Sequence, residues 1–289
     1  MRRRALLVGI DTYQFGTVPR LRGSVNDVAR IRDMLRNRFG FTNGDIRVVV
    51  EERATKAAIE HRLAWLVNGA EAGDILVFHF SGHGTRIRDR DEQDELYDHM
   101  DEAICAYDMS WDGGYITDDH IAKVFEKVAP GVLVEVILDT CFAGMGRSEL
   151  RLGLPPQDRP QDAPHRFLAP PLDVAARHDG EPDLPTTSLL DSVREKAEVA
   201  LWAATPEDGT SNEAYFNGRF DGVFTYYLTR VVGDAGAELS REEIIGAVAR
   251  AIEDDGYAQR PELDCPAALR AGEPLGGELV REAWTPFDL

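Results

Sequence analysis

The chain has 289 residues, 43% of them hydrophobic, and a formal net charge of −19. That length supports a sizeable core in one α/β domain or two small ones, and the acidic balance argues against nucleic acid or an anionic membrane as the main partner. Its three cysteines, Cys105, Cys141 and Cys265, form no CxxC pair, which argues against a disulfide framework or a structural zinc site and suits a reducing compartment. Residues 5–10 are too short for a signal-peptide core, and no apolar run reaches the roughly 20 residues that span a bilayer. A cytoplasmic protein without nucleic-acid or membrane partners is expected.

Residues 5–10 predict a first strand, and the spacing of Val28, Ile31, Met34 and Leu35 predicts a helix over 26–38. A strand over 46–50 and a helix over 55–69, capped by Thr55, follow. Residues 75–80 form a continuous apolar run leading to Ser81-Gly82-His83-Gly84. The stretch 86–102 is polar and acidic; 104–107 predicts a short strand and 117–128 a helix. A second apolar run, 132–138, leads to Asp139-Thr140-Cys141-Phe142-Ala143-Gly144. Residues 146–192 carry eight prolines and little periodicity and read as a linker or long loop. Order resumes with a strand over 198–204, a helix over 220–232, a capping box at Ser240-Arg241-Glu242-Glu243 opening a helix to about residue 253, and a last strand near 260–265. Alternating β and α units imply a parallel sheet with helices on both faces. The expected organisation is one domain over 1–289: a half bearing His83 and Cys141 (1–145), the linker (146–197), and a half completing the sheet (198–289).

A histidine and a cysteine at the exits of two buried parallel strands form the pair that a thiolate nucleophile and its base require. Taken singly, His83 reads as a turn histidine and Cys141 as a buried structural thiol. Together, at matching exits, they favour a dyad.

These segments resemble the metacaspase and orthocaspase group of caspase-fold cysteine peptidases (clan CD, family C14). Residues 5–10 resemble that family's first strand. Leu21-Arg22-Gly23-Ser24-Val25-Asn26-Asp27-Val28 resembles its L-x-G-C-x-N-D-A segment. Phe80 to Gly84 and Asp139 to Gly144 resemble its His and Cys boxes, Gly222-Val223-Phe224-Thr225 its G-x-F-T motif, and Gln259-Arg260-Pro261 its Q-x-P. The animal-caspase signature Q-A-C-x-G is absent. The resemblance implies a three-layer caspase-like fold around a mostly parallel six-stranded sheet, with Cys141 as nucleophile and His83 as general base and acid. It also implies an oxyanion hole from the N–H groups of Gly84 and Cys141. A third orienting residue is not evident.

The resemblance further implies an acidic pocket for Arg, less often Lys, formed by Asp27, Ser81 and Asp139, with Ser24 where the family usually has cysteine. Paired carboxylates want a cationic guest, and Arg can bind one bidentately. The expected substrate is therefore a protein or peptide with a basic residue before the cut, hydrolysed by a monomer. The chemistry requires no cofactor. Calcium is a candidate activator, held through Asp101, Asp118 and Asp119, although Ser148 stands where the family has a further aspartate. Arg147, Arg151, Arg159, Arg166, Arg177 and Arg194 in or beside the linker are candidate cleavage sites, acted on in cis or by an upstream protease. Two rivals stand beside this reading: a catalytically silent caspase-fold interaction module, and a caspase-fold peptidase with a different preference, such as Asp, before the cut.

Overall fold

Apolar strands and amphipathic helices alternate through the computed structural model, which describes residues 1–88, 100–142, 165–171, 174, 198–206, 209–234 and 239–272 (backbone only at 88, 100 and 101). The first half runs β1 (Arg3–Gly9), α1 (Ser24–Phe39), β2 (Ile46–Val50), a 3-10 turn (Glu51–Arg53), α2 (Lys56–Val67), β3 (Ile75–Ser81), β4 (Gly84–Arg88), β5 (Met100–Ser110), β6 (Gly113–Thr117), α3 (Asp118–Phe125) and β7 (Leu133–Asp139). The second half adds β8 (Glu198–Ala203), β9 (Glu213–Phe216), β10 (Arg219–Gly222), α4 (Val223–Asp234), α5 (Arg241–Asp254), β11 (Glu262–Asp264) and α6 (Ala267–Arg270).

The central sheet has six strands in the order β11-β8-β7-β3-β1-β2. All its pairings are parallel except β11 with β8. Side chains alternate across it with the strand period of two. Ala5, Leu7 and Val77 face α1, α4 and α5 through Val28, Ile31, Phe224, Leu228 and Val248. Leu6, Val8, Phe78 and Phe80 face α2 and α3 through Ile59, Leu63, Ile121 and Phe125. Each such large apolar side chain, fully buried, contributes about 1.5–3 kcal/mol. Glu135, a charge inside the apolar β7, accepts from Trp202 Nε1 at 2.6 Å and Arg241 Nε at 3.0 Å, so the buried carboxylate is paired. The six-stranded, mostly parallel sheet between two helical layers is the architecture the sequence predicts.

Local capping follows expectation. Thr55 Oγ1 accepts from the Ala58 N–H, and Ser240 with Glu243 closes a reciprocal box at α5. Other details depart from the sequence reading. The helix expected over 220–232 begins only at Val223, because Arg219–Gly222 pairs antiparallel with Glu213–Phe216 in a hairpin. Its turn is Asn217-Gly218, with φ of 45° and 90°, the left-handed pair such a two-residue turn demands. The short strand expected at 104–107 is the middle of β5, and β4, β5 and β6 form a separate antiparallel sheet.

Candidate active site

β2 lies on one side of β1 and β3 on the other, so the topology opens a crevice at the carboxyl ends of these strands. Register fixes what meets there. Ser81 and Asp139 are direct partners at the ends of β3 and β7, and His83 and Cys141 each follow two residues later. Both are fully buried. A Cβ added at Gly84 would stand 2.5 Å from the Cys141 carbonyl oxygen, so a bare glycine is what lets the two loops approach.

His83 is held from three sides. Its backbone N–H donates to Tyr13 Oη at 2.8 Å, and the two rings lie 5.3 Å apart. Its Nε2 sits 2.8 Å from the Pro19 carbonyl oxygen. A carbonyl only accepts, so Nε2 carries the ring proton and Nδ1 is the basic nitrogen. Among the described residues, buried Nδ1 meets no group in hydrogen-bonding geometry. Burial lowers the imidazole pKa to about 4, which keeps the ring neutral at physiological pH. The Cys141 thiol donates to the Gly209 carbonyl at 2.9 Å, not to that nitrogen. The loop that supplies Tyr13 and Pro19 is pinned by Glu51, whose carboxylate accepts from the Asp11 and Thr12 N–H groups at 3.0 and 3.1 Å from a left-handed backbone, φ 53°.

Beside His83 and Cys141 lies a buried acidic pocket, and it is filled by the chain itself. Arg166, fully buried, places Nη1 2.7 Å from Ser81 Oγ, 2.7 Å from the Asp139 carbonyl oxygen and 2.9 Å from Asp139 Oδ1. Its Nη2 reaches Asp27 Oδ2 at 2.8 Å and Glu213 Oε1 at 3.2 Å. Those carboxylates hold the guanidinium pKa above its ordinary value. Three of the four expected pocket residues thus converge on one cation. Ser24, the fourth, is buried at the start of α1, its N–H on Asp11 Oδ1 and its hydroxyl without a partner among the described residues.

The surroundings explain the late glycine motif. Gly222 N–H donates to Asp27 Oδ1 at 2.8 Å, and Thr225 gives Asp139 Oδ2 two hydrogen bonds at 2.7 and 3.0 Å. A Cβ on Gly222 would stand 2.7 Å from Asp27 Oδ2 and 2.8 Å from Arg166 Nη2, and closer still to Asp139 Oδ2. Gly222→Ala is therefore expected to close the pocket and cut kcat/KM for any substrate using it by about 5- to 150-fold, since overpacking a rigid, charged wall costs about 1–3 kcal/mol. Steady-state kinetics with circular dichroism as a fold control measures this.

The backbone of the same segment lies along the crevice. Arg166 N–H donates to the Ser211 carbonyl at 3.3 Å, and the Gly84 N–H donates to the Arg166 carbonyl at 2.8 Å. His165 bridges Asn212 antiparallel, and Phe167 bridges Gly84 in parallel sense. The Gly84 amide expected in the oxyanion hole is thus occupied by the carbonyl of a buried arginine.

Sequence reasoning missed Glu213, Ser211, Tyr13 and Pro19. Asn217-Gly218 signals the hairpin that carries Glu213, but nothing in sequence marks the Pro19 carbonyl. Of the expected calcium ligands, Asp118 and Asp119 open α3, and Asp119 Oδ2 pairs with Lys123 Nζ at 3.3 Å. The Asp101 side chain lies outside the described residues. Among the described residues no group of three or more His, Cys, Asp or Glu side chains converges to hold a metal. Arg147, Arg151, Arg159, Arg177 and Arg194 also lie outside them. No described helix is long and apolar enough to cross a membrane.

The chain is 28% identical to Metacaspase-1 of Ajellomyces capsulatus over 91% of its length and 80% of that protein. It is 40% identical to Metacaspase-4 of Arabidopsis thaliana over half of its length and 34% of that protein. A crystal structure of a Geobacter sulfurreducens protein shares the fold at a TM-score of 0.66 and 22% identity, covering 95% of this chain and 98% of that one. The model of the metacaspase peptidase C14 domain matches residues 3–147, the span that holds β1 through β7 with His83 and Cys141. The chain belongs to the metacaspase peptidase C14 family and is a cysteine-type peptidase.

Proposed function

We propose that the protein is an endopeptidase that cuts after arginine, and after lysine more slowly, through Cys141 and His83, and that its own bond Arg166–Phe167 is a substrate that restrains it until cut. The observation that carries this reading is Arg166, fully buried against Asp27, Asp139 and Glu213 while its carbonyl accepts from the Gly84 N–H. A side chain in a specificity pocket with its carbonyl on an oxyanion donor is the pose of the residue before a cut. The pocket favours Arg over Lys because its carboxylates are met by two separate nitrogens, which a single ammonium cannot match.

In the reaction, the Cys141 thiol turns from the Gly209 carbonyl and gives its proton to His83 Nδ1. The sulfur attacks the scissile carbonyl carbon, forming a C–S bond. The oxyanion takes the Gly84 N–H, with the Cys141 N–H as second donor. The C–N bond breaks as His83 returns the proton to the leaving amine, and water hydrolyses the thioester.

While Arg166 fills the pocket, a substrate in trans is excluded. Incubation of the full chain is expected to yield a new N-terminus at Phe167, read by intact-mass and N-terminal sequencing, together with rising activity on Arg peptides. Arg166→Ala and Cys141→Ala should both stop that cut. An active enzyme that never splits between 166 and 167 would contradict the restraint.

A further inference from the structure

The same segment continues past the proposed cut, and its path points to a second specificity site. We propose that β4 and β5 form an apolar subsite that takes a branched apolar side chain at the second residue after the cut of an extended polypeptide substrate. This rests on the reading of Arg166 as the residue before the cut.

Burial along the segment alternates. Arg166 and Leu168 are buried, His165 and Phe167 are half-buried, and Ala169 is exposed, the two-residue period of an extended strand. The Leu168 N–H donates to the Gly84 carbonyl at 2.8 Å, and Thr85 Oγ1 donates to the Leu168 carbonyl at 2.7 Å. Gly84 and Thr85 therefore hold the backbone from Arg166 to Leu168 by bonds that any sequence can make, as in strand addition to a sheet edge. Selection then falls to the side chains. Leu168, 7% exposed, packs into a cluster with Ile87, Ala103, Cys105, Met109 and Tyr115. The surroundings are dry enough that burial pushes the Cys105 thiol up, beyond its ordinary range. A carboxylate or ammonium placed there would be desolvated without a partner. Phe167 is half-buried and joins none of the apolar clusters among the described residues, so the first residue after the cut is less restricted than the second.

The test uses the processed full-length enzyme and internally quenched peptides identical up to Arg-Phe, followed by Leu, Ala or Asp, together with an Arg-coumarin substrate that has no residues beyond the cut. The Leu peptide should exceed Ala by about 10-fold and Asp by about 100-fold in kcat/KM, the range that apolar pockets command. Thr85→Val should lower kcat/KM for all three peptides several-fold more than for Arg-coumarin. In the full chain, Leu168→Asp should slow self-cleavage at Arg166–Phe167 by at least about 10-fold. Equal cleavage of the Leu and Asp peptides, with Arg-coumarin turned over, overturns the subsite alone. No turnover of any Arg substrate, Arg-coumarin included, overturns the Arg-directed reading and the subsite with it.

Discussion

Replacing Cys141 with alanine is expected to lower kcat by at least about 10⁴-fold, because it removes the proposed nucleophile, the sulfur that would bond the scissile carbon. The fold should survive: Cys141 follows the end of β7, outside the strand ladder, and its thiol donates to the Gly209 carbonyl. Thermal unfolding should shift by no more than a few degrees. His83→Ala should cost less, about 10²–10⁴-fold, the usual range for a positioned base, because a small thiolate fraction persists without it. Peptide turnover and active-site titration of both variants check this. A Cys141→Ala enzyme that still cuts would move the chemistry elsewhere, and a His83→Ala enzyme at full rate would mean that Nδ1 takes no proton.

The second large effect belongs to the pocket. Asp27→Asn and Asp139→Asn keep shape but remove a charge that meets a desolvated guanidinium, a loss of about 2–5 kcal/mol, or about 30- to 4,000-fold in kcat/KM for Arg peptides. The same residues set a pH dependence. Burial raises the Asp27 pKa to about 7; the Arg166 guanidinium pulls it back, and Asp139 and Asp221 push it up. Below that pH the carboxyl is neutral and attracts the guanidinium less, so Arg binding weakens as pH falls through about 7. An empty pocket lacks the guanidinium's pull, which moves the transition higher. His83, lowered to about 4, stays a neutral base throughout this window. The acid limb of kcat/KM, which reports the free enzyme, is therefore expected near or above pH 7. A limb at about 4 would assign it to His83 instead.

Much of this was legible in the residues. Apolar runs ending in Ser81-Gly82-His83 and Asp139-Thr140-Cys141 carry strand, register and chemistry in one stretch each, and parallel pairing of Ser81 with Asp139 brings them together. What stayed hidden depends on distance along the chain. Glu213 joins the pocket only because a hairpin swings it 186 residues from Asp27, and Asn217-Gly218 marks that turn without saying where it points. The Pro19 carbonyl orients His83 through a backbone atom that every residue has, so no side chain announces it. Arg166 was one arginine among six in and around a proline-rich segment; only its burial against Asp27 and Asp139 distinguishes it.

The proposed union of a Cys141 nucleophile with a pocket for arginine in one site is open to a single comparison. It is tested most directly with two fluorogenic peptides that differ only in the residue before the coumarin, Arg or Asp, given to processed wild-type enzyme and to Cys141→Ala. Arg turnover is expected at least about 100-fold above Asp, the discrimination a buried charge pair provides, with none from the variant. Asp turnover equal to or above Arg, or an undiminished rate in Cys141→Ala, would contradict it.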